Sequence, residues 1–210
     1  MKKIVITIFL ILMLGVLCTA CGSGDSSQAV NTVSPWTPQD EQSDQLVQLL
    51  APNKNVTIVS FAADKNIKTI KRGCKYYENG KLIADEDLGT SESAAEEGST
   101  TSSKGLISVI RGETNYELSV SCNGNIASVS DVEIPGYKDG EHDYSFAVGE
   151  LINEVPFKEG EPVYLVAYYN TEDGETHAYD PQSLMDDPNL LKTNEKTWII
   201  YAIFSSKTLD

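Results

Sequence analysis

The chain has 210 residues, with 31 Asp and Glu against 16 Lys and Arg, so its formal net charge is −15 at pH 7. A chain this acidic repels nucleic acid and anionic lipid headgroups, and no local run of basic residues reverses that repulsion. We therefore exclude nucleic acid as a partner and expect cationic or neutral ligands. The length suits one domain of ordinary size with a tether, or at most two small domains.

The first twenty residues have the features of an export signal. Lys2 and Lys3 form a short cationic start, and residues 4–20 then run without a charge. This order of a basic segment and an apolar segment is typical of a secretory signal. The apolar run ends in the letters LCTAC at residues 17–21.

The end of this run resembles the signal of bacterial lipoproteins, in which two small residues precede a cysteine. Here Thr19 and Ala20 precede Cys21, and Cys18 stands where that family usually has leucine. The resemblance implies that residues 1–20 are removed and that Cys21 becomes the lipid-bearing N-terminus on the outer face of the bacterial cell membrane. Two acyl chains, each contributing about 0.8 kcal/mol per buried methylene, would hold such a protein stably at the surface.

An uncleaved membrane helix is the alternative for this segment, because 17 apolar residues are at the lower edge of a membrane span. Both interpretations place the rest of the chain outside, since Lys2 and Lys3 favour the cytoplasmic side. Removal of residues 1–20 leaves 14 basic residues against 31 acidic ones, a formal charge of −17.

Two of the four cysteines remain for the folded domain. Cys18 leaves with the signal and Cys21 takes the lipid, so Cys74 and Cys122 are left. An exported protein meets an oxidising environment, which favours a disulfide between them. The alternative is two small, buried thiols on neighbouring strands, since spacing alone does not show that the two Cα atoms come within bridging distance.

Residues 21–36 are small and polar, which predicts a lipidated flexible tether. Residues 37–52 predict a short N-terminal helix, because the letters TPQD at 37–40 place a capping residue before a proline. We expect its apolar face to pack on the domain or to shield a sheet edge, with partner binding as the alternative. That face consists of Leu46, Val47, Leu49 and Leu50.

Apolar residues alternate with polar ones through most of residues 53–210, which predicts β-strands. Asn79-Gly80, Asn123-Gly124 and Asp173-Gly174 predict tight hairpins, the third with a return strand over 175–179. The nearly continuous apolar run at 198–204 predicts a central strand that is covered on both sides.

This pattern of nine or ten short strands predicts a mainly β domain over residues 53–210. We expect an antiparallel β-sandwich of immunoglobulin-like or jelly-roll kind, because strands do not alternate with long helices. A mobile loop is predicted over 85–104, since 89–104 contains no bulky apolar residue. One turn of helix is expected near Leu184 or Leu190.

The sequence predicts no catalytic residue. His142 and His177 lack the paired spacing of a zinc site, and no nucleophile elbow or Cys-x-x-Cys occurs. The order of Cys122 and His177 allows a nucleophile pair, but the alternating pattern around Cys122 favours a structural role.

No cofactor and no metal site are predicted, with calcium as the alternative for an acidic extracellular domain. Four acidic residues match positions 1, 3, 5 and 12 of an EF-hand-like spacing, but Tyr144 stands where that loop needs glycine. A solvated acidic turn is therefore favoured, and Asp186 with Asp187 is a second acidic cluster. The four residues are Asp139, Glu141, Asp143 and Glu150.

We predict a non-catalytic module that binds an envelope protein or a carbohydrate ligand. Aromatic rings can form flat platforms for sugars, but the strand positions of several tyrosines favour core packing. A hydrolase acting on cell-wall sugar or peptide is the alternative, and a solute-binding protein that feeds a transporter is less favoured. The tyrosines are Tyr76, Tyr77, Tyr164, Tyr168 and Tyr169.

Overall fold

The computed structural model of the chain describes residues 31–38, 45, 55–92, 103–112, 114–122, 124–136, 146–171 and 175–208. Within these ranges no helix has the length and hydrophobicity that a membrane span needs. The elements are β1 (Thr32–Pro35), β2 (Asn55–Ala63), β3 (Thr69–Glu78), β4 (Lys81–Glu92), β5 (Ser103–Arg111), β6 (Asn115–Cys122), β7 (Asn125–Glu133), β8 (Phe146–Glu150), β9 (Val155–Pro156), β10 (Pro162–Asn170), the helix α1 (Pro181–Asp186), a 3₁₀ helix (Pro188–Lys192) and β11 (Lys196–Ser205).

The strands form two antiparallel sheets. The first sheet has the order β7-β6-β5-β2-β1-β9, and the second has the order β4-β3-β11-β10-β8. Neighbouring strands are antiparallel in both sheets. The prediction of a mainly β, antiparallel architecture is confirmed.

The two sheets pack face to face and share a core, so the domain is sandwich-like. Phe61 of the first sheet meets Phe204 of the second, with ring centroids 5.4 Å apart. Elsewhere in the core, Leu118 of the first sheet packs in one cluster with Trp198 and Tyr76 of the second. Each fully buried side chain of this size contributes about 1.5–3 kcal/mol. The immunoglobulin-like or jelly-roll kind stays a prediction.

Strand β11 is the central strand of the second sheet and is covered on both faces, as its apolar run predicts. Trp198 faces the first sheet, whereas Ile199 packs on the other side with Leu184 and Leu191. These leucines belong to α1 and the 3₁₀ helix, so the predicted helical turn is confirmed and consists of two short helices. Their burial attaches an otherwise polar segment to the sheet.

The hairpin predicted at Asn79-Gly80 joins β3 to β4, and both residues have the positive φ that such a turn requires, 48° and 79°. Gly124, with φ of 82°, likewise lies between β6 and β7. The return strand predicted over 175–179 is wrong, because those residues are not in a strand. Both edges of β10 are already paired, with β11 and β8, so no edge is left for a returning strand.

The predicted tether and mobile loop are each too long. Residues 32–35 are strand β1 rather than tether, because Val33 is buried in the core and β1 pairs with β2 and β9. Of the loop predicted over 85–104, the first part continues β4 to Glu92, and β5 begins at Ser103. Residues 1–30 and 93–102 lie outside the described residues. Most of the predicted N-terminal helix does too, although Gln45 is helical.

Candidate functional site

The cysteines are not joined by a disulfide. Cys74 and Cys122 are both buried thiols, so the structure contradicts the predicted bridge and agrees with the alternative of two buried thiols. They lie in different sheets and different core clusters rather than on neighbouring strands. Burial raises the pKa of the Cys74 thiol far above its usual range, so this thiol is unreactive. The lipid-attachment residue Cys21 lies outside the described residues.

Cys122 and His177 do not form a nucleophile pair. The Cys122 side chain lies in the core between the sheets, whereas His177 is exposed. The side-chain amide of Asn194 bonds the His177 backbone, with 2.9 Å to the N–H and 2.9 Å to the carbonyl. His177 therefore belongs to the segment that crosses the outer face of the second sheet. His142 is outside the described residues.

The part of the chain that the structure describes contains no group of three or more His, Cys, Asp or Glu residues that could hold a metal ion. Of the second acidic cluster, Asp187 caps the 3₁₀ helix, since its carboxylate accepts a hydrogen bond from the Asn189 N–H at 3.0 Å. The EF-hand-like residues Asp139, Glu141 and Asp143 lie outside the described residues.

The tyrosines divide between the core and the outer face of the second sheet. Tyr76, Tyr168 and Tyr169 are buried, as the core interpretation predicts. Tyr77 and Tyr164 are half-buried on the outer face and hydrogen-bonded to each other. Burial, and then the neighbouring Tyr164, raises the pKa of Tyr77. Neither ring is an open platform for a sugar.

A third tyrosine on this face, Tyr201, belongs to a hydrogen-bonded cluster that we call the Tyr201 cluster, formed with Gly73, Lys75 and Asp85. A Cβ atom at Gly73 would collide with the Tyr201 ring, so glycine is required beneath it. The Tyr201 hydroxyl donates to Asp85 Oδ1 at 2.7 Å, and Lys75 Nζ lies 2.8 Å from Asp85 Oδ2. Only 5% of Tyr201 is exposed, so the ring serves packing.

Three grooves on the described surface contain charged side chains, and one of them combines apolar walls with several charged groups. The groove of about 490 Å³ on the first sheet holds one carboxylate, Glu154, and one ammonium group, Lys104. A smaller one of about 200 Å³ holds Glu150, which accepts a hydrogen bond from Thr57 Oγ1 at 2.7 Å. The third groove, of about 430 Å³, lies between β9 and α1.

We call this third space the β9–α1 groove. Such a concave, mostly apolar space with a few polar groups is the usual form of a ligand site. Its lining residues are Asn153, Glu154, Val155, Pro156, Phe157, Lys158, Glu161, Pro162, Val163, Asp180, Gln182 and Met185.

One wall of the β9–α1 groove is the end of the first sheet. Strand β9 is the terminal strand of that sheet and pairs with β1. The next residue, Phe157, donates its N–H to the Asn31 carbonyl at 2.9 Å and stacks on Phe204 with ring centroids 4.0 Å apart. These contacts hold the wall against both sheets, so the groove is preformed.

The opposite wall is helix α1. Pro181 occupies the first turn, where its fixed φ suits a helix start. Leu184 is buried against the second sheet, which turns Gln182 and Met185 toward the groove. Met185 is 41% exposed, a large apolar group that the fold leaves open to a ligand.

Asp180 is a carboxylate of the β9–α1 groove with one oxygen that lacks a donor within the described part of the chain. Its Oδ1 is buried, and no donor among the described residues bonds to that atom. Burial raises the pKa of the Asp180 carboxyl, although nearby backbone N–H groups, that of Gln182 foremost, oppose the shift. The negative charge of Asp186 adds to the increase. A perturbed carboxyl in a groove is a candidate functional group.

The other carboxylates of the groove have partners. Glu154 accepts a hydrogen bond from Ser34 Oγ at 3.0 Å, and Glu161 lies 3.7 Å from Lys158 Nζ. The described lining therefore contains three carboxylates against one ammonium group. The groove is acidic and can hold a cation beside an apolar group.

Sequence reasoning did not find this site. Glu154 and Asp180 are far apart along the chain and meet only because β9 and α1 are brought together across the sandwich. The one local signal was Asp180-Pro181, a capping residue before a proline, which marks a helix start. That signal indicates α1 but not what faces it.

No protein-family model matches the chain, and no curated protein or solved structure matches it. The geometry and chemistry of the described residues therefore carry the functional proposal.

Proposed function

We propose that the chain is a lipoprotein, anchored through Cys21 to the outer face of the bacterial cell membrane. We further propose that its sandwich, of immunoglobulin-like or jelly-roll kind, is a non-catalytic module that binds an envelope protein or carbohydrate. The residues at 17–21 support the anchor. The observation that carries the binding role is the β9–α1 groove, with apolar walls and three carboxylates in its described lining.

The position of this groove supports a ligand close to the membrane. Phe157, in one wall, bonds the carbonyl of Asn31, the residue at which the tether meets the domain. The ten residues from Cys21 to this point span at most about 35 Å when fully extended. A tether of this length would therefore keep the Phe157 wall of the groove within about 40 Å of the anchor.

A hydrolase that acts on cell-wall sugar or peptide is the second candidate. One observation favours it: Asp180 has a raised pKa, as a general acid needs, and shares its groove with Glu154 and Glu161. A glycoside hydrolase would need a second carboxyl about 5–9 Å from the first. We prefer the binding role because Glu154 already accepts a hydrogen bond from Ser34 Oγ.

The anchor is tested by the intact mass of protein extracted from native membranes, compared with a Cys21→Ala variant. We expect a lipid-sized increment on a chain that begins at Cys21, and its loss in the variant. A native chain that keeps Met1 and carries no lipid would contradict the proposal and make residues 4–20 an uncleaved membrane helix.

The binding role is tested with an environment-sensitive dye on Met185→Cys in the groove, with Ile126→Cys as the control. Ile126 is 72% exposed on β7, in a different part of the surface. The probes are soluble peptidoglycan fragments and a hexapeptide library. We expect saturable changes at position 185 but not at 126, with the probes intact by mass. Cleaved probes would favour the hydrolase, and equal responses at both positions would contradict a ligand site in the groove.

A further inference from the structure

We propose that the β9–α1 groove binds a basic side chain carried on a short apolar segment of a partner protein. This inference rests on the proposed binding function and deepens it, because it selects a protein segment over a carbohydrate. Three features of the groove support the choice: its charge, its apolar walls and the position of Asp180.

The charge of the groove selects a cation. Glu154, Glu161 and Asp180 face a single ammonium group, Lys158, and that group is loosely paired with Glu161 across 3.7 Å. Both partners of this pair are more than half exposed, so the pair is weak and leaves the groove negative. The rest of the chain is acidic as well, which attracts cations from a distance.

The walls select apolar groups beside that cation. Phe157 and Val163 are nearly buried, while Val155, Pro162 and Met185 present partly exposed apolar surface to the groove. A neutral sugar offers few groups that would bury this surface favourably. A side chain such as valine or leucine on either side of a basic residue would remove it from water, at about 25 cal/mol per Å².

Asp180 adds to the attraction for a cation. Its carboxyl lines the groove, and the described residues leave Oδ1 without a donor. A cation in the groove would offset the negative charge of this carboxylate, and that attraction does not require contact with the shielded Oδ1. A guanidinium group suits this role, since it stays charged over the whole working pH range and forms strong charge-assisted hydrogen bonds with carboxylates.

The size and position of the site fit a few residues of extended chain. The groove volume of about 430 Å³ is within the range of small-ligand sites, so only a short segment enters. Strand β9 borders the groove as the terminal strand of the first sheet. Pro156 has no backbone N–H, so β9 has one hydrogen-bond donor fewer for an added strand. Side-chain recognition therefore dominates over strand addition.

The test uses the full lipoprotein in neutral detergent and three probes. The first is the capped peptide acetyl-Ser-Val-Arg-Val-Ser-amide, the second is the same peptide with citrulline in place of arginine, and the third is an oligomer of N-acetylglucosamine. Citrulline keeps the shape of arginine and removes its charge. Calorimetry gives the affinity, and the amide resonances of Asn153, Val155 and Gln182 report binding in the groove.

We expect the arginine peptide to bind at least tenfold more tightly than the citrulline peptide and to shift the groove resonances. Asp180→Asn and Glu154→Gln should each weaken it severalfold, whereas Glu86→Gln, the same charge change on exposed β4, should not. Rising salt concentration should weaken binding.

Two kinds of result would overturn the inference. If the citrulline peptide or the sugar shifts the groove resonances as strongly as the arginine peptide, the groove is a binding site but not one for a basic segment, and the proposed function stands. If no probe shifts them, the inference fails, and the dye titration at Met185→Cys decides the binding role separately.

Discussion

Two carboxylates in this protein illustrate two different uses of a charged group. In the Tyr201 cluster, Asp85 accepts hydrogen bonds from Tyr201 and Lys75 at 2.7 and 2.8 Å. Burial would raise the pKa of Asp85, but these two partners outweigh it and lower the pKa. In the β9–α1 groove, burial prevails over the available donors and raises the pKa of Asp180.

This difference separates a group that stabilises the fold from one that is available to a ligand. Asp85 has its bonds already, so a ligand would gain little there. Asp180 lacks a cationic partner, so the folded protein holds it at a disadvantage that binding can remove. Variants that disturb the Asp85 contacts should therefore lower stability and leave binding unchanged, whereas Asp180→Asn should weaken binding without lowering stability.

The largest expected effect concerns the wall of the groove. Phe157→Ala removes a nearly buried ring that stacks on Phe204, so unfolding in urea should become easier by about 3–5 kcal/mol, and binding of the arginine peptide should be lost. Phe157→Leu, the matched control, should lose much less stability. A stable Phe157→Ala variant with unchanged binding would contradict the role of this wall.

A smaller loss is expected in the Tyr201 cluster. In Gly73→Ala the new Cβ atom would displace the Tyr201 ring from its place above strand β3, at a cost of about 1–3 kcal/mol. Peptide binding should stay normal, because this cluster does not line the groove. Gly124→Ala tests another glycine, with open space around it but a φ of 82°, and should cost about 1 kcal/mol.

Tyr201→Phe should destabilise the protein by about 1 kcal/mol at neutral pH, because it removes one hydrogen bond to a carboxylate. The pKa of Asp85 is below its ordinary value of 3.8 in the folded protein, so its contribution is present above that value and is lost as the pH falls through the folded pKa. The difference in unfolding free energy between the wild type and Tyr201→Phe, measured by thermal unfolding, should thus become smaller in acid. A difference that stays constant down to strongly acidic pH would contradict this linkage.

The smallest expected effect has the opposite sign. The pKa of Asp180 is above 3.8 in the folded protein, so the folded state binds more protons and stability falls as the pH rises from 3.8 through the folded pKa. Asp180→Asn should therefore raise stability at neutral pH, by less than about 1 kcal/mol because the group is only half-buried. The exposed control Asp186→Asn should change stability less.

Peptide affinity gives the second half of this prediction. Wild-type affinity for the arginine peptide should rise with pH through the pKa of Asp180, because only the carboxylate attracts the cation. The groups that face it, Glu154, Glu161, Lys158 and Asp186, influence the midpoint. A variant Asp180→Asn that is less stable than the wild type and binds equally well would show that Asp180 is a structural residue like Asp85.

Much of the fold was predictable from local patterns. The alternation in β2 and β3 and the Asn79-Gly80 turn depend on side-chain period and on φ, which neighbouring residues determine. The candidate groove was not predictable, because its lining residues come together only through contacts between distant segments. The same limitation affected Cys74 and Cys122, because the number of cysteines and the expected export favour a bridge but do not show that the two belong to different sheets.

The sequence by itself determined the mainly β character, the central position of β11 and the expectation of cationic or neutral ligands, since these follow from periodicity and charge. Only the tertiary structure decided the order of the strands, because pairing depends on which edges remain open. With both edges of β10 occupied, residues 175–179 leave the sheet, and the chain then continues into α1. That path brings Asp180 opposite β9 and creates the groove.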